Sequence, residues 1–139
     1  MKPITVEELA YLAGFIDGEG SFGISYSRGQ GSFYVRISLT NTDHDGLLYV
    51  ANLLQKAANR NDEVPIYWEP AKDNRRKLGI IQLQCATQVK AILLALQPYI
   101  VLKQKRLKLL LAFLKSEKNR KEGEFLYLAM KQLNGKGNS

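Results

Sequence analysis

Two carboxylates stand two residues apart at the end of an apolar segment: Asp17 and Glu19 in Leu12-Ala-Gly-Phe-Ile-Asp-Gly-Glu-Gly20. If this segment is helical, both acids lie at its C-terminal end. There the helix dipole disfavours each anion by about 0.3–1 kcal/mol. Stability alone would place lysine at such an end. A bound divalent cation would reverse the local sign, and carboxylate and carbonyl oxygens suit a hard cation such as magnesium. Taken alone, acids beside glycines are more simply read as a solvated turn.

The helix that would carry these acids has a clear start. Thr5-Val6-Glu7-Glu8 reads as a capping box, with Thr5 as N-cap and Glu8 at the third helical position. The pattern predicts a helix to about Asp17, ended by Gly18 and Gly20 through the left-handed conformation that glycine tolerates. Ala10, Ala13, Gly14 and Asp17 fall on one face with little side-chain bulk, and Leu9, Leu12 and Ile16 form the opposite, core-facing stripe. A face of small residues lets a second helix approach to about 8 Å between axes.

Beyond this helix, Phe22, Ile24 and Tyr26 alternate with Ser21, Gly23, Ser25 and Ser27. After a Gly29-Gln30-Gly31 turn, Phe33, Val35, Ile37 and Leu39 alternate with Tyr34, Arg36, Ser38 and Thr40. Period two with one polar face predicts a half-exposed antiparallel hairpin. A helix over about Asp43 to Ala57 follows, with Leu47, Val50, Leu54 and Ala58 on one stripe. Strands are expected near Val64–Glu69 and Lys77–Ala86, the latter turning Ile81, Leu83 and Cys85 inward. Helices near Gln88–Leu96, Lys103–Ser116 and Gly123–Leu133 complete the chain. The fold class is α+β, in the order αββαββα with an extra C-terminal helix. Helices would cover one face of a four-stranded antiparallel sheet and leave the other face open. One domain over 1–133 is expected, with 134–139 as a disordered tail.

Composition fits this reading. The 139 residues suit one domain, and 45% apolar content is enough for one core. Twenty basic against 13 acidic residues give a net charge of +7, which suits a polyanionic partner such as nucleic acid. The single cysteine allows no internal disulfide and fits a reducing compartment. No secretory signal is visible, and the longest apolar runs are too short to span a bilayer, so a soluble, intracellular protein is expected. The open sheet face, rich in Ser, Tyr, Arg and Gln, could hydrogen-bond to base edges or simply be solvated.

Leu12–Gly20, followed by Ser21-Phe22 opening a strand, closely resembles the signature of the LAGLIDADG homing endonucleases. Leu96-Gln-Pro-Tyr-Ile-Val-Leu-Lys-Gln-Lys105 is similar to the family segment that carries a basic active-site residue. The motif occurs once, and single-motif members of the family act as homodimers. The resemblance implies a sequence-specific, metal-dependent double-stranded DNA endonuclease that hydrolyses phosphodiesters at a long pseudo-palindromic site. It would work in a DNA-containing compartment, prokaryotic cytoplasm or organelle, with no membrane and no small-molecule substrate. An intron maturase, or a non-cleaving nucleic-acid-binding protein of the same fold, is the alternative.

Carried over residue by residue, Glu19 takes the metal-binding acidic position and Gly18 offers its carbonyl to the metal. That metal is Mg2+, with Mn2+ or Ca2+ able to stand in its place. Asp17 supports the site, Lys103 is the basic residue that polarises water or stabilises the transition state, and Asn41 orders active-site water. Ala10, Ala13, Gly14 and Asp17 would form the dimer interface. Ser25, Arg28, Tyr34, Arg36, Ser38, Arg75, Arg76, Lys77, Gln82, Gln84 and Lys105 would contact DNA. A basic residue that some members place early in the second helix is missing, since Asp45 and Gly46 stand there. His44 reads as a surface or capping residue, Cys85 as a core thiol, and Trp68 as a packing residue. The basic cluster Lys103–Lys108 reads as phosphate contacts.

Overall fold

Thr5 starts the first helix as expected. Its hydroxyl accepts from the Glu8 N–H (3.1 Å), and the Glu8 carboxylate accepts from the Thr5 N–H (3.0 Å). A computed structural model of the chain describes residues 2–71, 73, 76–116 and 120–137. In it α1 spans Val6–Glu19. The Glu8 carboxylate also pairs with Lys56 Nζ at 3.0 Å, tying α1 to the helix beside it. The Thr5 N–H, and then Lys56, hold the Glu8 carboxyl below its ordinary pKa. The stabilisation from Glu8 is therefore full above the usual carboxylate range and is lost as falling pH titrates the group through its lowered value. Thr5→Ala should cost about 1 kcal/mol, or roughly 2–4 °C in Tm for a chain of this size. Thermal unfolding at neutral pH measures it, and an unchanged Tm would mean the cap carries no stability.

The far end of α1 differs from expectation. The helix continues through Gly18 to Glu19, and Gly20 is extended, at φ −94°. No left-handed residue ends it; the chain turns straight into the first strand. Gly20 is needed for another reason. A Cβ there would lie 2.8 Å from Leu39 Cδ2 and 3.0 Å from the Ile16 carbonyl oxygen, so only glycine lets strand and helix meet this closely.

Strand β1 (Gly20–Ser27) pairs antiparallel with β2 (Ser32–Asn41), from Gly20↔Leu39 to Ser27↔Ser32. The hairpin closes with the Gly31 N–H donating to the Ser27 carbonyl (2.8 Å) and Gly31 at φ 63°. The other two strands are shorter than expected: β3 is Tyr67–Trp68 and β4 is Gly79–Leu83. The run expected to form β3 is bracketed by Pro65 and Pro70, which cannot donate to a ladder. The sheet order is β1-β2-β4-β3. Phe22, Ile24, Val35, Ile37, Leu39, Ile81 and Leu83 turn inward and are buried. Cys85 is not a core thiol. It is exposed, because β4 has ended and Cys85 serves as N-cap of the next helix.

Helix α2 (His44–Ala58) starts at Asp43, whose carboxylate accepts from the Gly46 N–H at 3.3 Å, and buries Leu47, Val50, Leu54 and Ala58 as expected. Helices α3 (Ala86–Leu96), α4 (Gln104–Lys115) and α5 (Arg120–Gly137) complete the layer on the inner face of the sheet. α5 runs past Leu133, so the chain does not become a tail at 134. Asn134 Nδ2 donates to the Phe22 carbonyl (3.1 Å), and Asn134 Oδ1 accepts from Arg106 Nε (2.8 Å). The last two positions of the expected tail, 138–139, lie outside the described residues. Among the described residues no helix is long and apolar enough to cross a membrane.

Candidate active site and nucleic-acid interface

The α1–β1 junction leaves Gly18 and Glu19 exposed. Asp17 points elsewhere, toward the segment leading into α4. Its carboxylate accepts from the Val101 N–H at 2.8 Å and from the Lys103 N–H at 3.1 Å. The return contact comes from Lys103, whose Nζ donates to the Asp17 carbonyl at 2.5 Å. The exchange satisfies both helix dipoles: an anion sits at the start of α4 and a cation at the end of α1. It also explains how α1 ends in two acids without a basic residue of its own in the last turn.

The exchange brings Lys103 to the same helix end as Glu19. Burial lowers the pKa of the Lys103 ammonium from its ordinary value. The Asp17 charge opposes that shift, Arg106 adds to it, and Glu19 opposes it. Asn41 ends β2, two residues beyond the Leu39 that pairs with Gly20. It therefore belongs to the same end of the sheet as Glu19. Its Oδ1 is engaged by the Asp43 N–H at 2.9 Å in the turn before α2. His44 is a surface residue, as expected, and stacks on Trp68 with ring centroids 4.9 Å apart.

Among the described residues no group of three or more His, Cys, Asp or Glu could hold a metal. The donor set at the junction is one free carboxylate and one exposed backbone position. That fits a magnesium ion, which keeps several waters and takes only one or two carboxylates alongside substrate phosphates.

The small-residue face of α1 is real but differs by one position from expectation. Ala13 is fully buried inside its own chain, so it is not available to a partner. Exposed instead are Ala10, Gly14 and Gly18, at four-residue spacing on one line. A Cβ at Gly14 or Gly18 would meet nothing within 4 Å. Beside the end of this line Val101 and Leu102 are 75% and 74% exposed. Sequence reasoning missed both, because Leu96–Lys105 was read only for its lysine. Two adjacent apolar residues directly before a basic helix start were the available signal.

The outer face of the sheet carries Ser25, Tyr34, Arg36, Ser38 and Gln82 by strand parity, with Gln84 just past the end of β4. Tyr67, Ile80 and Thr40 share that face and were not singled out, although the same alternation marks them. Arg36 Nε donates to Ser25 Oγ (3.3 Å) and Nη1 to Ser38 Oγ (3.1 Å). Arg28, Arg76, Lys77 and Lys105 are exposed around the sheet and α4, while Arg75 lies outside the described residues. Arg106 leaves the expected phosphate-binding cluster, since Nε and Nη2 are committed to Asn134 and the Leu133 carbonyl.

Residues 7–59 match the family model of the LAGLIDADG-like domain. No curated protein matches the sequence significantly. Among solved structures, the homing endonuclease I-CvuI in complex with its target, in the presence of calcium, is similar at a TM-score of 0.70. Its identity is 22%, over 91% of this chain and 82% of that one. The group I intron-encoded homing endonuclease I-CeuI complexed with DNA is similar at 0.61, with 19% identity over 86% of this chain and 59% of that one. The LAGLIDADG meganuclease I-AabMI bound to uncleaved DNA is similar at 0.63, with 21% identity over 88% of this chain and 43% of that one. At these identities the likeness is one of fold.

Proposed function

For a chain whose residues 7–59 match the model of the LAGLIDADG-like domain and whose four-stranded open sheet has the homing-endonuclease fold, we propose the activity of a sequence-specific double-stranded DNA endonuclease. It acts as a homodimer and depends on a divalent metal. The observation that carries this reading is the meeting of Glu19 and Lys103 at one helix end, held by the exchange of contacts between Asp17 and the 101–103 segment. A metal-dependent nuclease needs a free carboxylate and a cation at one point, whereas DNA binding alone does not call for the carboxylate.

Glu19, with the Gly18 carbonyl, would hold Mg2+, and DNA phosphates and water would complete its shell. The metal, when bound, supplies an activated water and neutralises charge on the attacking and leaving oxygens. Lys103 Nζ sits at the same helix end, on the Asp17 carbonyl, where its positive charge would stabilise charge on the phosphate or polarise the water. Asp17 positions Lys103 by gripping its backbone N–H. Asn41, from the end of β2, would order the water.

One chain offers one such site, and cutting both strands needs two. A two-fold dimer supplies them. The line Ala10, Gly14 and Gly18, flanked by Val101 and Leu102, is the surface best suited to bring two copies of α1 together. The polar outer sheet face, with Arg28, Arg76 and Lys77 exposed around it, would then follow the major groove.

The test is selection of cleaved duplexes from a randomised library with magnesium present. The ten residues of β2 span about 33 Å at roughly 3.3 Å each. At roughly 3.4 Å per base pair, one sheet follows about nine or ten pairs. The dimer should select a pseudo-palindrome of about 20 pairs. No cleavage with any divalent metal would favour the non-cleaving reading, and a site of only about six to eight pairs would mean the sheet is not the reading head.

A further inference from the structure

Gly23 stands in the middle of β1 on the outer face, directly opposite Arg36 of β2. Its φ is not in the left-handed region, so the backbone conformation does not call for glycine, and glycine weakens a strand interior. What fills the space above it is the Arg36 guanidinium. A Cβ on Gly23 would collide with Nη2 and lie 3.1 Å from Cζ. Gly23 is accordingly buried, although its neighbours on the outer face, Ser21 and Ser25, are partly exposed.

The arrangement fixes a side chain that would otherwise be free. Arginine on an exposed strand samples many rotamers, and ordering it on binding costs affinity. Here Ser25 holds Nε and Ser38 holds Nη1. Three of the five N–H groups then remain, spread over the two terminal nitrogens. That suffices for the bidentate pair with O6 and N7 of guanine.

We infer that Gly23 is a specificity-determining residue: by omitting a side chain it seats the Arg36 guanidinium between Ser25 and Ser38, so that its remaining N–H groups read one guanine in each half-site. This rests on the sheet face being the reading head, as set out above. Gly23→Ala is a usable test because the atoms in its way are the far end of a flexible side chain. The sheet can keep its register while Arg36 is pushed off its seat.

The experiment takes the duplex selected by the wild-type protein and every single-pair variant of one half-site. Affinities are measured for the wild type, Gly23→Ala, Arg36→Ala and the double variant, with circular dichroism confirming folding. Gly23→Ala and Arg36→Ala should each lose discrimination at the same base pair, by about 5-fold to about 100-fold. The double variant should lose no more than Arg36→Ala alone, because the glycine acts only through the arginine. Wild-type preference in Gly23→Ala, or a loss that adds in full to that of Arg36→Ala, overturns the inference while leaving the reading head intact. If the wild type binds no duplex selectively, or Arg36→Ala keeps the wild-type preference at every position, the sheet-face reading falls and the inference falls with it.

Discussion

Glu19→Gln should abolish cleavage of the selected duplex and leave its binding nearly unchanged. The substitution keeps the length and shape of the side chain, and Glu19 is exposed, so folding has little at stake. What changes is the charge that holds the cation. Mutating even the partners that merely orient metal ligands typically costs about 10–100-fold. Losing the one free carboxylate at the junction should exceed that, so cleavage should fall by at least about a hundred-fold. Binding should stay within a few-fold, because phosphate contacts from Arg and Lys dominate DNA affinity and removing an anion does not weaken them. The rate is read by single-turnover cleavage with magnesium and the affinity by gel shift with calcium. Near wild-type cutting would remove Glu19 from the active site. Loss of binding in parallel with cutting would instead give it a structural role.

The residues that were legible in the sequence are those whose role is local. Thr5 begins α1 through a bond to an N–H group three residues away, as residue type and spacing predict, and Asp43, expected as the first residue of the second helix, is its N-cap. The alternation from Phe22 to Leu39 fixes which side of the hairpin is buried, and the burial matches it at Phe22, Ile24, Val35, Ile37 and Leu39, while Tyr26, near the hairpin turn, is 40% exposed. Reading failed where a distant element decides. Ala13 shares an arc of the helical wheel with Ala10 and Gly14, but the helices packed against α1 bury only one side of that arc. Cys85 continues an alternating pattern, yet β4 ends at Leu83, paired with Ile37, and the chain starts α3 instead of another rung. Asp17 reads as a supporting residue of the site, but what it supports is visible only once segment 101–103 supplies two N–H groups, 84 and 86 residues away in sequence. Asn134 sits in a Gly-rich stretch that reads as a tail, and a bond to the Phe22 carbonyl 112 residues earlier is invisible in one dimension. The candidate site was legible as a list of residues. Its division of labour, with Glu19 free and Asp17 spent on positioning Lys103, required the fold.

Gly14→Leu should turn the proposed dimer into monomers without unfolding the chain. Within one chain a side chain at Gly14 has open space, since a Cβ there meets nothing within 4 Å. Replacing a glycine in a helix interior also favours the helix, by up to about 1 kcal/mol. Any loss must therefore come from a second copy. If two α1 helices meet along Ala10, Gly14 and Gly18, leucine inserts bulk where backbones approach, and two-fold symmetry inserts it twice. Overpacking costs about 1–3 kcal/mol per insertion. Two insertions weaken the dimer by roughly thirty-fold to twenty-thousand-fold in Kd. Double-strand cleavage should fall with it, while the melting temperature measured on the monomeric variant stays at or above that of dissociated wild type. Ala13→Leu is the contrasting control: Ala13 is fully buried in its own chain, so bulk there should lower the melting temperature directly. Analytical ultracentrifugation, with and without the selected duplex, reads the outcome. A wild-type protein that sediments as a monomer in both conditions would end the two-fold model, and so would a Gly14→Leu variant that stays dimeric and cuts both strands.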